Sequence, residues 1–413
     1  MLRNKNILVG VTGSIAIYKT LELIRLFIKA NANVRVVMTE SSKKFVTALT
    51  FETISQHTVL DENSECWDKE SVNNHIAIGK WADIFIIAPC SANTINKMAN
   101  GIADNLLSQT VLAYPGLKIL SPAANTNMIQ NPITLLSLQR LREVGFEIIE
   151  SQTKELACKD IGDGAMAEPS EIFCQTVRQL LKDDFWDNRA AVVSGGGTIE
   201  KIDDVRYISN FSSGKMASSL ALALYLKGAN VTLVATRGYE NLPLGIKIHK
   251  VESSQQMFDS LDMELKLAKR GKDKKPFVFM AAAVSDYLPQ NLQEGKLKKD
   301  ALGETWDLAL TKNRDILNDI EKQGIISIGF KAEMDKSTAN QSAQKMVKTK
   351  NLDAVCLNII DESNPFGSNK NVIELIIKNR HEIKELKGDK FDISLKLLQL
   401  LQNEFESQAS HKD

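Results

Sequence analysis

Ser194-Gly195-Gly196-Gly197-Thr198 follows the apolar run at residues 190–193, and after a polar stretch the chain continues Ile208-Ser209-Asn210-Phe211-Ser212-Ser213-Gly214-Lys215-Met216. The run before the glycines reads as a buried strand, and the glycines leave backbone N–H groups able to approach an anion. Residues 216–225 are rich in Ala and Leu and read as a helix, so Ser212 and Ser213 fall where a helix is capped and its positive end exposed. A glycine turn between strand and helix also serves plain chain reversal. The polar stretch between them carries an Arg, an Asn and a Lys, more than a connection needs. This is a strand, a turn and a helix of an α/β nucleotide-binding type, and it begins near the middle of the chain.

Working outward, apolar runs with β-branched residues recur at 7–11, 34–38, 84–88, 117–120 and 146–149, and again at 190–193, 231–235, 246–251, 277–283, 325–329 and 354–358. Helical patterns separate them, which predicts two parallel sheets with helices on both faces. Residues 169–181 read as a helix closing the first half, and 182–189 are polar enough to be a boundary placed near residue 188. A hairpin is expected over 372–386, an amphipathic helix over 391–405, and a polar tail over 406–413. The domains are therefore 1–188 and 189–405.

The totals limit function. A chain of 413 residues accommodates two full cores. Its 51 basic and 51 acidic side chains cancel, which argues against nucleic acid and membrane surfaces as partners and for small molecules. Five scattered cysteines with no CxxC pair fit a reducing cytoplasm without disulfides or zinc. The N-terminus carries Gly10, Gly13 and Lys19 within its apolar stretch, so it reads as a first strand and not as a signal peptide, and no run reaches the length of a membrane span.

Within the first half, Ser14 is placed to cap the first helix and meet a phosphate. His75 precedes a short helix. The stretch 122–128 offers Asn125 and Asn127 at a strand's carboxyl end, where amides hold a carboxylate or simply form a turn. Cys158 lies in a glycine-bearing stretch, 155–169, read as a loop, and a thiol of ordinary pKa, about 8.5, can donate a proton.

Thr12-Gly13-Ser14-Ile15-Ala16 with Tyr18-Lys19, Ala88-Pro89-Cys90-Ser91-Ala92-Asn93-Thr94, His75, the stretch 122–128 and Leu156-Ala157-Cys158 together resemble the flavin-dependent cysteine decarboxylases. The resemblance spans the first half. It implies a flavodoxin-like domain binding FMN, with Ser14, Thr39, Ala88, Pro89, Cys90, Ser91 and Asn93 in contact with the flavin. It also implies that His75 and Asn125 position the substrate carboxylate and that Cys158 gives the last proton. Lys159 stands where that family usually has Gly.

Ala281-Ala282-Ala283-Val284-Ser285-Asp286 ends a strand in small residues that leave room for a ligand. With Asn210, Lys215, Lys296, the stretch 311–316 and the stretch 329–333, it is similar to the phosphopantothenate-cysteine ligases. The order of the two halves resembles the bacterial bifunctional family of coenzyme A synthesis. That resemblance implies a Rossmann-like second domain activating phosphopantothenate with CTP and joining it to cysteine, with Mg2+ beside the phosphates. Asn210 and Lys296 would act catalytically. Ala281, Ala282, Ala283, Asp286, Asn313, Asp315, Ile316, Phe330, Lys345 and Lys350 would join Lys296 around CTP. Lys350 aligns directly with the family's lysine pair and Lys345 only with a gap. A homo-oligomer of decarboxylase trimers and ligase dimers is implied as well. Two rival classes fit less. A dinucleotide dehydrogenase lacks GxGxxG and its following acid, and a non-enzymatic flavin-fold regulator has no use for all of His75, Asn125, Cys158, Asn210 and Lys296.

Overall fold

The computed structural model describes residues 1–68, 71, 73–155, 161–271, 274–298, 304–361, 365 and 367–409. The chain divides into two compact units, Met1–Leu180 and Leu181–Asp413.

In the first unit the strands β1 (Asn6–Val11), β2 (Asn33–Met38), β3 (Ile84–Cys90), β4 (Lys118–Pro122) and β5 (Phe146–Ile148) form one parallel sheet in the order β2-β1-β3-β4-β5. β1 and β3 are buried along nearly their whole length, as central strands covered on both faces must be. The helices α1 (Ile17–Lys29), α2 (Glu40–Lys43), α3 (Ala48–Ser55), α4 (His75–Trp81), α5 (Ala92–Ala99), α6 (Leu106–Ala113), α7 (Thr126–Ile129), α8 (Pro132–Glu143) and α9 (Pro169–Leu181) connect and cover them. α1 buries Ile17, Thr20, Leu23, Ile24 and Phe27 on one stripe. Asn74, Ser91, Asn105 and Asn131 cap α4, α5, α6 and α8 with side-chain oxygens, which fixes where four of these helices start. This strand order is the flavodoxin-like one, and its direction reverses between β1 and β3.

The stretch read as a loop around Cys158 is partly strand. β6 (Gln152–Glu155) and β7 (Ile161–Ala165) pair antiparallel, and Cys158 and Lys159, between them, lie outside the described residues. Two glycines explain the strand. Added Cβ atoms at Gly162 and Gly164 would fall on Thr126 Oγ1 and on the Ala124 carbonyl oxygen, so the hairpin's backbone lies directly against residues 124–126.

The second unit carries β8 (Ala190–Gly195), β9 (Ile199–Lys201), β10 (Tyr207–Ser209), β11 (Asn230–Ala235), β12 (Lys247–Lys250), β13 (Phe277–Met280), β14 (Tyr287–Pro289), β15 (Leu310–Lys312), β16 (Ile326–Glu333), β17 (Ala354–Ile359), β18 (Lys370–Ile377) and β19 (Ile383–Asp389). Eight of them form a sheet in the order β12-β11-β8-β13-β16-β17-β18-β19, parallel through β17 and antiparallel in the last two. The six parallel strands have the Rossmann order, with the reversal between β8 and β13. α10 (Lys215–Leu226), α11 (Ser254–Ala268), α12 (Ile316–Asp319), α13 (Lys336–Thr349) and α14 (Lys390–Ala409) complete it.

The two units divide between residues 180 and 181, ahead of the boundary expected near residue 188. Trp186 is fully buried, its ring 4.8 Å from Phe277, and Phe185 packs on both. Arg189 covers the Phe185 ring and donates to the Phe185 and Lys275 carbonyls. Residues 183–189 are thus the first layer of the second core, although their charged neighbours give them the composition of a linker. Among the described residues no helix is long and apolar enough to cross a membrane.

Candidate functional site

The first unit opens a cavity of about 630 Å³ at the carboxyl ends of β1 and β3, lined by Gly13, Ser14, Thr39, Ser91, Asn93, Ala123 and neighbours. Its walls are tied together by Thr12, whose Oγ1 donates to the Pro89 carbonyl at 2.8 Å and accepts from the Ser91 amide at 2.9 Å. Gly13 is required by packing, since a Cβ there would stand 2.7 Å from that of Ser41. Ser14 is not the helix cap. Ala16 holds that position without a side-chain bond, and Ser14 Oγ accepts only from the Ala16 amide at 3.3 Å. The Ile17 amide donates to the Ser14 carbonyl at 3.1 Å, so Ser14 closes the turn into α1 through its backbone as well. Ala88, Pro89 and Cys90 lie in the buried strand beneath, and burial pushes the Cys90 thiol far up, so it is inert. At the rim Lys97 holds the Asp104 carboxyl below its usual range.

His75 and Asn125 are not among the residues lining this cavity. His75 opens α4, its Nδ1 3.1 Å from Glu65 Oε1 and its ring edge-on to Trp67. Glu65 is a functional candidate that sequence reading passes over. Asn125 caps α7 through the Asn127 amide, directly after Ala124, whose amide donates to the Gly164 carbonyl. Lys19 is structural, bridging α1 to the Met166 carbonyl and Glu168.

In the second unit the triple glycine is not an open phosphate cradle. The Gly196 carbonyl accepts from the Ala283 amide at 2.8 Å, and the Thr198 amide donates to the Ala283 carbonyl. The turn is thus zipped to the end of β13. The long polar stretch after it folds as the β9–β10 hairpin. The open helix start in this region is that of α10. Gly214 caps it at φ 73° with no side-chain bond, and a Cβ there would strike the Arg237 carbonyl. A cavity of about 220 Å³ sits at this helix start, lined by Ser212, Ser213, Lys215, Ala281, Ala282, Ala283, Phe330 and others. A second of about 500 Å³ adjoins it through Phe211, Ser212, Ser213 and Gly367 and adds Asn210 and Arg237. Asn210 is exposed, its amide donating to the Val284 carbonyl at 3.0 Å.

The other expected residues group elsewhere. Lys350 pairs with Asp315 at 2.8 Å. Asp315 caps α12, whose Ile316 is buried. Asn313 donates to the Ser285 carbonyl and, through its amide, to the Asp286 carbonyl. Lys345 is exposed on α13. Lys296 is exposed and lines neither cavity. Its segment is tethered by the Gly295 and Leu297 amides to Asp204 and Asp203, with Arg206 donating to the Leu297 carbonyl. Among the described residues no group of three or more His, Cys, Asp or Glu could hold a metal ion.

Residues 1–181 match the Flavoprotein family, and residues 186–404 the family described as DNA/pantothenate metabolism flavoprotein C-terminal domain. The chain is 37% identical to the coenzyme A biosynthesis bifunctional protein CoaBC of Haemophilus influenzae, over 94% of each chain. It is 34% identical to that of Bacillus subtilis, over 97% of each. Among solved structures, a PPC decarboxylase cysteine-to-serine mutant complexed with pantothenoylaminoethenethiol is 37% identical over 43% of this chain and 98% of its own, at a TM-score of 0.39.

Proposed function

Because the chain belongs to the family of coenzyme A biosynthesis bifunctional proteins, we propose that its first unit decarboxylates phosphopantothenoylcysteine with FMN and its second joins phosphopantothenate to cysteine with CTP. The observation that carries the division of labour is that each doubly wound sheet has its own cavity at the carboxyl ends of its parallel strands, β1 and β3 in the first unit and β13, β16 and β17 in the second.

FMN fits the first cavity. The polar set Ser14, Thr39, Ser91 and Asn93 beside Gly13 suits a phosphate and a planar ring. Bound there, the flavin would supply two-electron oxidation and reduction. The protein's own part is positioning. Glu65 fixes the His75 ring by its Nδ1, leaving Nε2 to meet the substrate carboxylate, and Asn125 offers a second polar contact. Cys158 would give the proton that completes the reduced thiol product.

In the ligase reaction a carboxylate oxygen of phosphopantothenate bonds to the α-phosphorus of CTP while the bond to pyrophosphate breaks. The cysteine amine then bonds to the acyl carbon, and CMP leaves. Asn210 is suited to hold the acyl-cytidylate, and Lys296 to offset charge on the departing pyrophosphate. The described residues form no metal cage, so Mg2+ would arrive held by the nucleotide's phosphates. The protein would work in the cytoplasm as a homo-oligomer of decarboxylase trimers and ligase dimers.

The test is the colour and the by-product of the purified chain. Two flavin absorbance bands and pyrophosphate release that needs both CTP and phosphopantothenate are expected. A colourless protein with no such release would refute the assignment.

A further inference from the structure

The cavity at the start of α10 has an unusual charge balance. Lys215, Lys331 and Lys390 line it, and none of its described lining residues is an acid. Lys331 has a carboxylate, Glu333, at 3.0 Å. The other two are held by neutral groups. Lys215 Nζ donates to the Gly367 carbonyl at 3.1 Å and to Asn369 Oδ1 at 2.8 Å, and Lys390 Nζ donates to the Ser368 carbonyl. Burial lowers the Lys390 pKa first, and the neighbouring Lys215 charge lowers it further. Two ammonium groups therefore stand close enough to repel, at the positive end of a twelve-residue helix whose cap contributes no side chain. A protein that needed only to fasten the loop at 367–369 could use neutral donors. Concentrating positive charge in this way is unfavourable until an anion arrives.

The cavity's size narrows what that anion is. At about 220 Å³ it falls below the roughly 300–1,000 Å³ of sites that enclose a whole drug-sized ligand. It holds one end of a ligand, and the charges say it is the polyanionic end. We propose that Lys215 and Lys390 form a clamp for the β- and γ-phosphates of the nucleotide, each ammonium exchanging its carbonyl partner at 367–369 for phosphate oxygens. This deepens the ligase reading, on which it rests, and it brings in α14. That helix starts with Lys390 and packs along α10, so the final helix of the chain contributes to the nucleotide site through its first residue.

The test uses the full-length protein and inorganic tripolyphosphate, which has the phosphate chain without the nucleoside. Calorimetric affinity for tripolyphosphate and the KM values for CTP and cysteine are measured in the parent protein and in Lys390→Gln, Lys390→Arg and Lys215→Gln. Each Gln variant is expected to weaken tripolyphosphate and raise the CTP KM by about tenfold, the order of one lost charge-assisted hydrogen bond. The cysteine KM should stay within about twofold, and Lys390→Arg should keep most of the affinity. Unchanged tripolyphosphate affinity in both Gln variants overturns the clamp. So does equal weakening by Arg and Gln at residue 390, which marks a loop fastener. Should Lys390→Gln not fold, Lys215→Gln and Lys390→Arg decide between the same two outcomes. Tripolyphosphate bound through these lysines by a protein that releases no pyrophosphate would uphold the clamp and sink the ligase reading.

Discussion

Glu65 shows what a single residue adds. It lies ten positions before His75 in a polar stretch with no periodicity, so only the folded chain reveals the 3.1 Å approach of its carboxylate to the imidazole. If Glu65 sets the ring's orientation, Glu65→Gln should lower decarboxylation kcat/KM by about tenfold, the order of a hydrogen bond to a charged group. Ligation measured on the same sample should be untouched; equal loss of both activities would mean misfolding instead. In the second unit the two residues assigned to ligation should fail differently. Lys296→Gln should suppress formation of acyl-cytidylate, whereas Asn210→Asp should form it and pass it poorly to cysteine, leaving the intermediate visible by mass spectrometry after quenching. An Asn210→Asp enzyme that makes no intermediate contradicts the assignment. Ser14, Thr39, Ser91 and Asn93, named through the resemblance, all line the first cavity, each just beyond an apolar run, where strand ends and ligands meet in such sheets. Lys390 and Arg237 carry no comparable signal, because nothing in their local sequence tells which loop or helix start they will face.

Secondary-structure elements follow the same division. The apolar runs became strands almost residue for residue, since a parallel strand covered on both faces must be apolar throughout. β6, Gln152-Thr153-Lys154-Glu155, has no apolar residue, and its partner begins and ends around Gly162-Asp163-Gly164. Its pairing is set by the close approach to residues 124–126, which no alternation pattern records. Gly13 is the comparable case at the first cavity. Gly13→Ala would push α2 away and cost roughly 1–3 kcal/mol of overpacking, so the variant should purify with less bound flavin per chain; full flavin content would show that Ser41 yields freely. The α11 contact to the β11–β12 edge gives a pH prediction. Glu264, 5% exposed, meets Lys247, His249 and Thr232. Burial alone would raise its pKa, but the charge and hydrogen bonds of Lys247 and His249 bring it below the ordinary 4.5. A carboxylate depressed in the folded state stabilises above that value and loses its contribution as pH falls through the folded pKa. Glu264→Gln should thus cost about 1 kcal/mol near neutral pH, discounted because Lys247 is more than half exposed, and nearly nothing at pH values well below 4. A constant penalty across that range would show that packing, not charge, is what the residue supplies.

At the scale of the whole molecule, the sequence pattern predicts two α/β units correctly in kind because each repeats its own alternation of strand and helix. The junction is hard to place by composition, because Lys182-Asp183-Asp184 and Asp187-Asn188 flank Phe185 and Trp186, and an average over the segment hides two core aromatics. A second unit cut at residue 190 loses Trp186 and Phe185 from the Phe277 cluster, and removing a buried Trp costs about 3–5 kcal/mol. A cut at residue 182 keeps them. Each unit has its own core, so the fragment 182–413 should fold and unfold cooperatively without its neighbour. The most direct measurement is the product made from CTP, phosphopantothenate and cysteine by this fragment and by the full chain, identified by mass spectrometry. The fragment should stop at phosphopantothenoylcysteine while the full chain proceeds to phosphopantetheine. A fragment that is folded yet makes no phosphopantothenoylcysteine, beside a full chain that does, would contradict two self-sufficient sites on one chain.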